Sequence, residues 1–502
     1  MQLLGRKRIY TNTKVVNSDN IIDVLKEAYD QHRLNAVEIQ YLIDYEGGKQ
    51  PLIREKKIRS DINIEVNDNL ANYVTEFKLG YFWGTPALLV QRGNKNSEGA
   101  KTDIAGITAL NEMLENGVHI GLKNQELAAF VEKCGVGHRL VDIKTDFDED
   151  EDESFAEVYT LDPRYTFCVY HNGVGNKKVL SATYTIDSAG HPDFTCFTDE
   201  WRWEISDWKI TGEPQINPLG KNPIVEYQRS VDRFGCFERQ VSDMNGLNIL
   251  VSDFANDTAQ RTQEIWWGND IDFPQDESGN IIKPQSGQWI LTFTGASANG
   301  ASKQPKIQPL SSTFQGDAVL NNMSYRWNRI LQKCKVPMQH DSEGGGSTGT
   351  AMDMSSGWSA AEVDAAREEL LIESGLREEI KLIIRAIRAV PDDVLPMDAS
   401  IRKVRSKDIS FHFNRKRNYD MAVKANAFAT WVSHGINGRH ALKAVDAFED
   451  NEQVWQDSRE GVEQYQKSQF QDSESTDRIM ADSSDQIENS PIIDGPTTSA
   501  GE

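Results

Sequence analysis

Two short motifs with catalytic residue types overlap in residues 344–350, GGGSTGT. Gly344 and Gly349 have the spacing of the outer glycines of a phosphate loop, where backbone N–H groups cradle phosphates and a following Lys supplies charge. Thr350 stands where that Lys belongs, so the charge chemistry is missing. Gly345-Gly346-Ser347-Thr348-Gly349 has the G-x-S-x-G form of a nucleophile elbow, which needs a preceding strand to expose its serine. A helical pattern closed by Pro337 comes first instead. A nucleotide-dependent enzyme using residues 344–350 is therefore only the alternative reading, and no catalytic residue or cofactor is assigned.

Metal chemistry finds little support. Seven of the eight residues 146–153 are acidic, and Asp146, Asp148, Asp150 and Glu157 echo a calcium loop. Glu151 occupies the position where that loop needs Gly, which favours an exposed, self-repelling segment over a cation site. Cys134, Cys168, Cys196, Cys236 and Cys334 are scattered without C-x-x-C spacing, which points to buried thiols rather than disulfides or zinc. Arg326, Arg329, Lys333 and Lys335 gather at the end of one helical pattern, where cations suit the helix dipole.

The elements that position residues 341–358 are helical on both sides. Upstream, Leu320, Met323, Trp327, Ile330, Leu331 and Cys334 recur at three- and four-residue spacing. Downstream, Ser359 and Glu362 form a capping-box signal, and Val363, Leu370, Ile380, Ile383, Ile384 and Ile387 continue a stripe towards Pro391. The acids of this second helix (Glu362, Asp364, Glu368, Glu369, Glu373, Glu378, Glu379) alternate with Arg367, Arg377, Lys381, Arg385 and Arg388, spacing suited to surface pairs and to contacts between copies. A Gly/Ser/Thr-rich loop of about 18 residues between two such helices is rarely idle.

Residues 1–228 alternate helical stretches (18–36, 68–79, 104–115, 125–134) with strand-like runs at 157–160 and 178–184, an α+β pattern. A helical stretch over 237–267 follows, with Met244, Leu247, Val251, Phe254, Thr258, Arg261 and Ile265 on one track. The connection 268–315 carries Pro274, Pro284, Pro305 and Pro309, five glycines and the strand-like run 288–294, consistent with a small β-containing unit. Residues 419–432, 438–448 and 451–465 are helical in pattern, and 472–502 are rich in Ser, Asp and Thr, a composition expected to be disordered.

Several stretches in this order resemble the portal proteins of tailed double-stranded-DNA bacteriophages. Residues 74–86, VTEFKLGYFWGTP, are similar to that family's GY-x-x-G-x-P segment, and 222–227, NPIVEY, to the strand before its first stem helix. Residues 347–352, STGTAM, resemble its SG-x-A loop, and 408–413, DISFHF, the strand after its long helix. The likeness runs from about residue 35 to about residue 460.

The resemblance implies a multi-domain α+β portal fold in a ring-forming homo-oligomer, a dodecamer in the particle. Residues 1–228 would form the wing, 229–267 and 316–337 two antiparallel stem helices, and 268–315 the clip. Residues 338–358 would form the tunnel loop, 359–392 a long wing helix, 393–470 a helical crown and 471–502 an acidic tail. Asp341, Ser342, Glu343, Gly344, Gly345, Gly346, Ser347, Thr348, Gly349 and Thr350 would then meet DNA in the channel. Arg329, Lys333 and Lys335 would lie near it, and Trp289 and Phe293 would serve docking at the clip. The implied partners are double-stranded DNA held without sequence preference, a terminase motor, head-completion or adaptor proteins, major capsid and scaffolding proteins, and further copies of the chain. The implied place is the capsid vertex of the virion, reached from the host cytoplasm during assembly, and packaging energy would come from the separate motor.

Composition agrees. At 502 residues with 38% hydrophobic content the chain can build several cores. No apolar run approaches the roughly 20 residues needed to cross a bilayer, and the N-terminal MQLLGRKRIY lacks the apolar core of a secretion signal. A net charge of −23 disfavours a tight duplex binder, whose affinity comes from neutralising phosphates. It suits a conduit, because every phosphate contact made would have to be broken as the duplex slides.

Overall fold

The computed structural model describes residues 3–52, 63–92, 104–144, 147, 154–262, 266–269, 276–280, 306–309, 316–338, 357–390, 400–413, 421–445, 448, 454–455 and 458–461. The chain divides into two compact units. The first comprises Met1–Gly80, Gln125–Asp142 and Val158–Glu379, and the second Tyr81–Asn124, Ile143–Glu157 and Ile380–Glu502.

In the first unit a seven-stranded sheet is built from β1 (Ile9–Thr11), β5 (Thr166–His171), β6 (Lys178–Ile186), β7 (Pro192–Phe197), β8 (Trp201–Ser206), β9 (Lys209–Ile210) and β10 (Gln215–Ile216). Its order is β1-β5-β6-β7-β8-β10 with β9 on β8; β1 runs parallel to β5 and the remaining pairs are antiparallel. Alternation puts Leu180, Ala182, Tyr184, Phe194, Cys196, Trp203 and Ile205 on one face. That face is covered by Ile21, Val24, Leu25 and Ala28 of helix α1 (Ile21–Glu46). The helix outruns the 18–36 pattern by ten residues because Ile39, Leu42 and Tyr45 continue its apolar stripe and are buried.

The second half of α1 enters a separate core with α2 (Leu70–Phe82), α5 (Val241–Thr262) and α6 (Gly316–Lys333). Asp243 meets Lys333 and Gly246 meets Arg326, so α5 and α6 run antiparallel. The helix expected over 237–267 is shorter: a 3₁₀ turn, Glu238–Gln240, precedes α5, whose 22 residues span about 33 Å. Trp266–Asn269 is not helical but a strand, β12, paired antiparallel with β13 (Lys306–Pro309); the β-prone Trp266 and Trp267 find a partner strand some 40 residues away. The run 288–294 lies outside the described residues.

The expected track on α5 is also corrected. Met244 and Leu247 are buried, but Thr258 is exposed, and the helix buries Asn248, Ser252 and Asn256 instead. These serve an extended segment. The N–H of Ile64 donates to Asn256 Oδ1 at 2.8 Å and Asn256 Nδ2 returns a bond to its carbonyl at 2.7 Å. Val66 exchanges the same pair with Ser252 Oγ, and Asp68 N donates to Asn248 Oδ1. Four helical residues rise about 6 Å and two extended residues nearly the same, which lets one amide or hydroxyl per turn read every second peptide.

A three-stranded sheet, β11-β3-β4, joins β11 (Ile224–Gln228), β3 (Val136–Ile143) and β4 (Ala156–Leu161). Helix α4 (Ile120–Cys134) leads into β3, and the side chains of its Leu127 and Val131 lie so close to Gly137 that a Cβ there would clash. The long helix α7, Trp358–Ala389, starts one residue before the Ser359 capping signal. Gly357, at φ +89°, supplies the carbonyl that accepts from Ala360 and Ala361.

The second unit pairs β2 (Leu88–Gln91) antiparallel with β14 (Ile409–His412). Asn111 of α3 (Ile104–Glu112) brackets both backbone groups of Leu89, at 3.1 and 2.8 Å. Phe82 stacks on Phe413 at 5.7 Å, and Arg388 Nη2 donates to the Val404 carbonyl at 2.6 Å. Helices α8 (Met421–Ser433) and α9 (Gly438–Val445) follow. Residues 472–502 lie outside the described residues.

Candidate functional site

Helix α6 ends in a Schellman motif. Val336 N donates to the Leu331 carbonyl at 3.0 Å and Lys335 N to that of Gln332 at 3.2 Å, with Lys335 left-handed at φ +59°. Leu331 and Val336 are both buried, which supplies the apolar contact such a cap uses. The chain is next described at Gly357, where a Cβ would stand 3.8 Å from Pro337 Cα. The two ends of the segment between them therefore meet.

Adjacent residues of α2 hold both ends. Phe77 packs on Trp358, the first residue of α7, with ring centroids 6.0 Å apart. Lys78 Nζ donates to the Lys335 carbonyl at 3.4 Å and to Asp364 Oδ2 at 2.8 Å. The lysine is 3% exposed, so its charge must be met within the protein.

It belongs to a buried ionic cluster. Arg229, just past β11, places Nε 2.8 Å from Glu132 Oε2, and Nη2 2.8 Å from Asp364 Oδ2 and 3.6 Å from Glu368 Oε2. Three carboxyls thus face two cations. Burial, followed by the neighbouring Glu132 charge, pushes the Glu368 carboxyl well above its ordinary range. Burial also acts to raise Glu132 and Asp364, but Arg229 leads the opposing interactions and brings both below theirs. Glu132 and Glu368 are thus pushed in opposite directions, as expected for two neighbouring buried carboxyls that share one guanidinium.

Farther along α7, Arg139 Nη1 lies 3.0 Å from both oxygens of Glu379, and Tyr227 Oη donates to Glu379 Oε2. Lys178 Nζ reaches Glu378 at 2.6 Å. The acids Asp364, Glu368 and Glu379, expected as surface charges, are instead the docking groups of this helix. Their partners come from α2, β3, β11 and the residue that follows β11, between 135 and 286 residues earlier, and sequence spacing on one helix cannot reveal them. Lys78 does fall in the 74–86 segment, the one signal that could have drawn attention to it. Chemically, these groups lock chain segments in place, with their charges spent on one another.

Arg329 and Lys333 are exposed on α6, and Lys333 Nζ is 2.5 Å from Asp243 of α5, so its charge is met there. Lys335 is exposed, and its backbone caps the helix. Residues 341–350, Trp289 and Phe293 lie outside the described residues, as does the acidic run 146–153 except Phe147, which stacks on Phe155 at 3.8 Å. Among the described residues no group of His, Cys, Asp and Glu is arranged to hold a metal ion. Cys134, Cys168, Cys196 and Cys334 are buried and Cys236 partly so, all as free thiols. Burial pushes Cys134, Cys168 and Cys334 up to about 12.

These features define an α+β protein in which two antiparallel helices and a long third helix flank a Gly-rich stretch of sequence whose two borders are clasped together. The family model described as phage portal protein, SPP1 Gp6-like, matches residues 9–474, and the chain belongs to that family, the bacteriophage capsid proteins of genome packaging. No curated protein matches the chain. Among the described residues no helix is long and apolar enough to cross a membrane.

Proposed function

We propose that this chain is the repeating subunit of a closed ring at one capsid vertex, through which double-stranded DNA is packaged and later ejected. Residues 341–350 of each copy turn towards the common axis and touch the duplex loosely, through hydroxyls and backbone rather than a ring of cations. Residues 1–228 form the wing, 229–267 and 316–337 the stem, 268–315 the clip and 393–470 the crown. The clip, through Trp289 and Phe293, receives the terminase motor during packaging and head-completion proteins afterwards. Major capsid and scaffolding proteins surround the wing during assembly in the host cytoplasm. The chain itself hydrolyses nothing.

The observation that carries this reading is the loop base. Pro337 and Gly357 meet, and Lys78 reaches both sides, an arrangement suited to presenting the intervening residues from a fixed point. The net charge of −23 supports passage over binding, since weak phosphate contacts cost little to break. Electron microscopy of the purified protein tests it: closed rings with an axial hole, and density from residues 341–350 at that hole, are expected. Monomers with a deep cleft, or rings carrying those residues on the outer rim, would overturn it.

A further inference from the structure

We propose that Lys78 is the positioning residue of the loop between α6 and α7, a proposal that rests on the reading of residues 341–350 as the DNA-facing segment. Its ammonium joins the last turn before the loop, through the Lys335 carbonyl at 3.4 Å, to the second turn after it, through Asp364 at 2.8 Å. An ammonium suits this because its three donors diverge from one small atom and can serve acceptors on separate segments. The Lys335 carbonyl lies at a helix end, beyond the ladder of intrahelical bonds. Phe77 reinforces the clasp from the preceding position through Trp358.

Asp364 keeps Arg229 if Lys78 is lost, so α7 stays docked while the link to Lys335 disappears. Removal of Lys78 therefore loosens the two loop ends and leaves the sheet and the α1 core intact. That local outcome separates a positioning residue from a general structural one.

Hydrogen–deuterium exchange on full-length Lys78→Met protein tests this. Exchange about tenfold faster at residues 334–338 and 357–361, with β5–β8 unchanged, is expected from the loss of one charge-assisted hydrogen bond. The amount of DNA packaged per particle should fall while ring assembly persists. Asp364→Asn, which keeps an acceptor oxygen but removes the charge, should speed exchange at the same two segments to a smaller degree, and it serves if Lys78→Met fails to fold. Unchanged exchange at either end, or acceleration spread evenly over the first unit, would overturn the proposal. Faster exchange at both ends with normal packaging would support the clasp and refute the assignment of residues 341–350 to DNA.

Discussion

Replacing Arg139 by methionine tests whether α7 is held by buried charge. The guanidinium is fully buried, 3.0 Å from both oxygens of Glu379, and lies 5.7 Å over the Tyr227 ring, whose hydroxyl donates to the same carboxylate. Methionine fills much of the volume but leaves Glu379 as an uncompensated charge, 1% exposed. Removing one partner of such a pair costs roughly 3–5 kcal/mol, or two to three and a half decades in the folding equilibrium at about 1.4 kcal/mol per decade. The double variant Arg139→Met/Glu379→Met removes both charges and should regain most of that loss, since a buried pair replaced by apolar groups is often near neutral. Urea titration followed by tryptophan fluorescence measures both; Trp203 in the sheet core is a buried reporter. A single-variant loss below about 1 kcal/mol, or a double variant no more stable than Arg139→Met, would refute the claim that this pair is desolvated and mutually dependent.

Three further outcomes are expected. Burial lowers the His32 pKa to about 4, against the bond it donates to the Arg164 carbonyl; the unfolded chain takes up its proton near the ordinary value of about 6.5. Stability should therefore fall as pH drops from about 6.5 to 4, by about 3 kcal/mol from this group, and urea midpoints of His32→Gln should show a flatter slope across that window. Gly375→Ala would bring a methyl within 2.5 Å of the Tyr227 ring and should destabilise by about 1–3 kcal/mol despite alanine's better helix propensity; a more stable variant in the same titration would show that the ring can give way. Lys335→Gly relieves the left-handed backbone at φ +59° and should raise stability by up to about 1 kcal/mol in thermal melts, whereas a loss would mean that the lysine side chain contributes more than the strain removes.

Much of the helical framework was legible in the sequence, because apolar residues at 3.6-residue spacing report a buried face whatever covers it. The stripe at Ile330, Leu331 and Cys334 marked α6, and the isoleucines of 380–387 marked the second half of α7. The Gly/Ser/Thr run and the helices bordering it were equally plain, as was the burial of the scattered cysteines, complete for four and partial for Cys236. Less legible was any buried position that is polar. Asn248, Ser252 and Asn256 resemble an exposed stripe until an extended segment brings its peptides to them, and Asp364, Glu368 and Glu379 resemble surface charges until Lys78, Arg229 and Arg139 arrive.

Local pattern thus determined where the described helices form, since these follow from short-range backbone preference and from the side chains of one element. Tertiary structure alone decided that Trp266–Asn269 pairs as a strand, that β2 meets β14 across some three hundred residues, and that Lys78 spans the loop base. The physical reason is that the burial of a charge or amide is favourable only when its partner is present, and those partners are fixed by the path of the chain, which no spacing within a single element encodes.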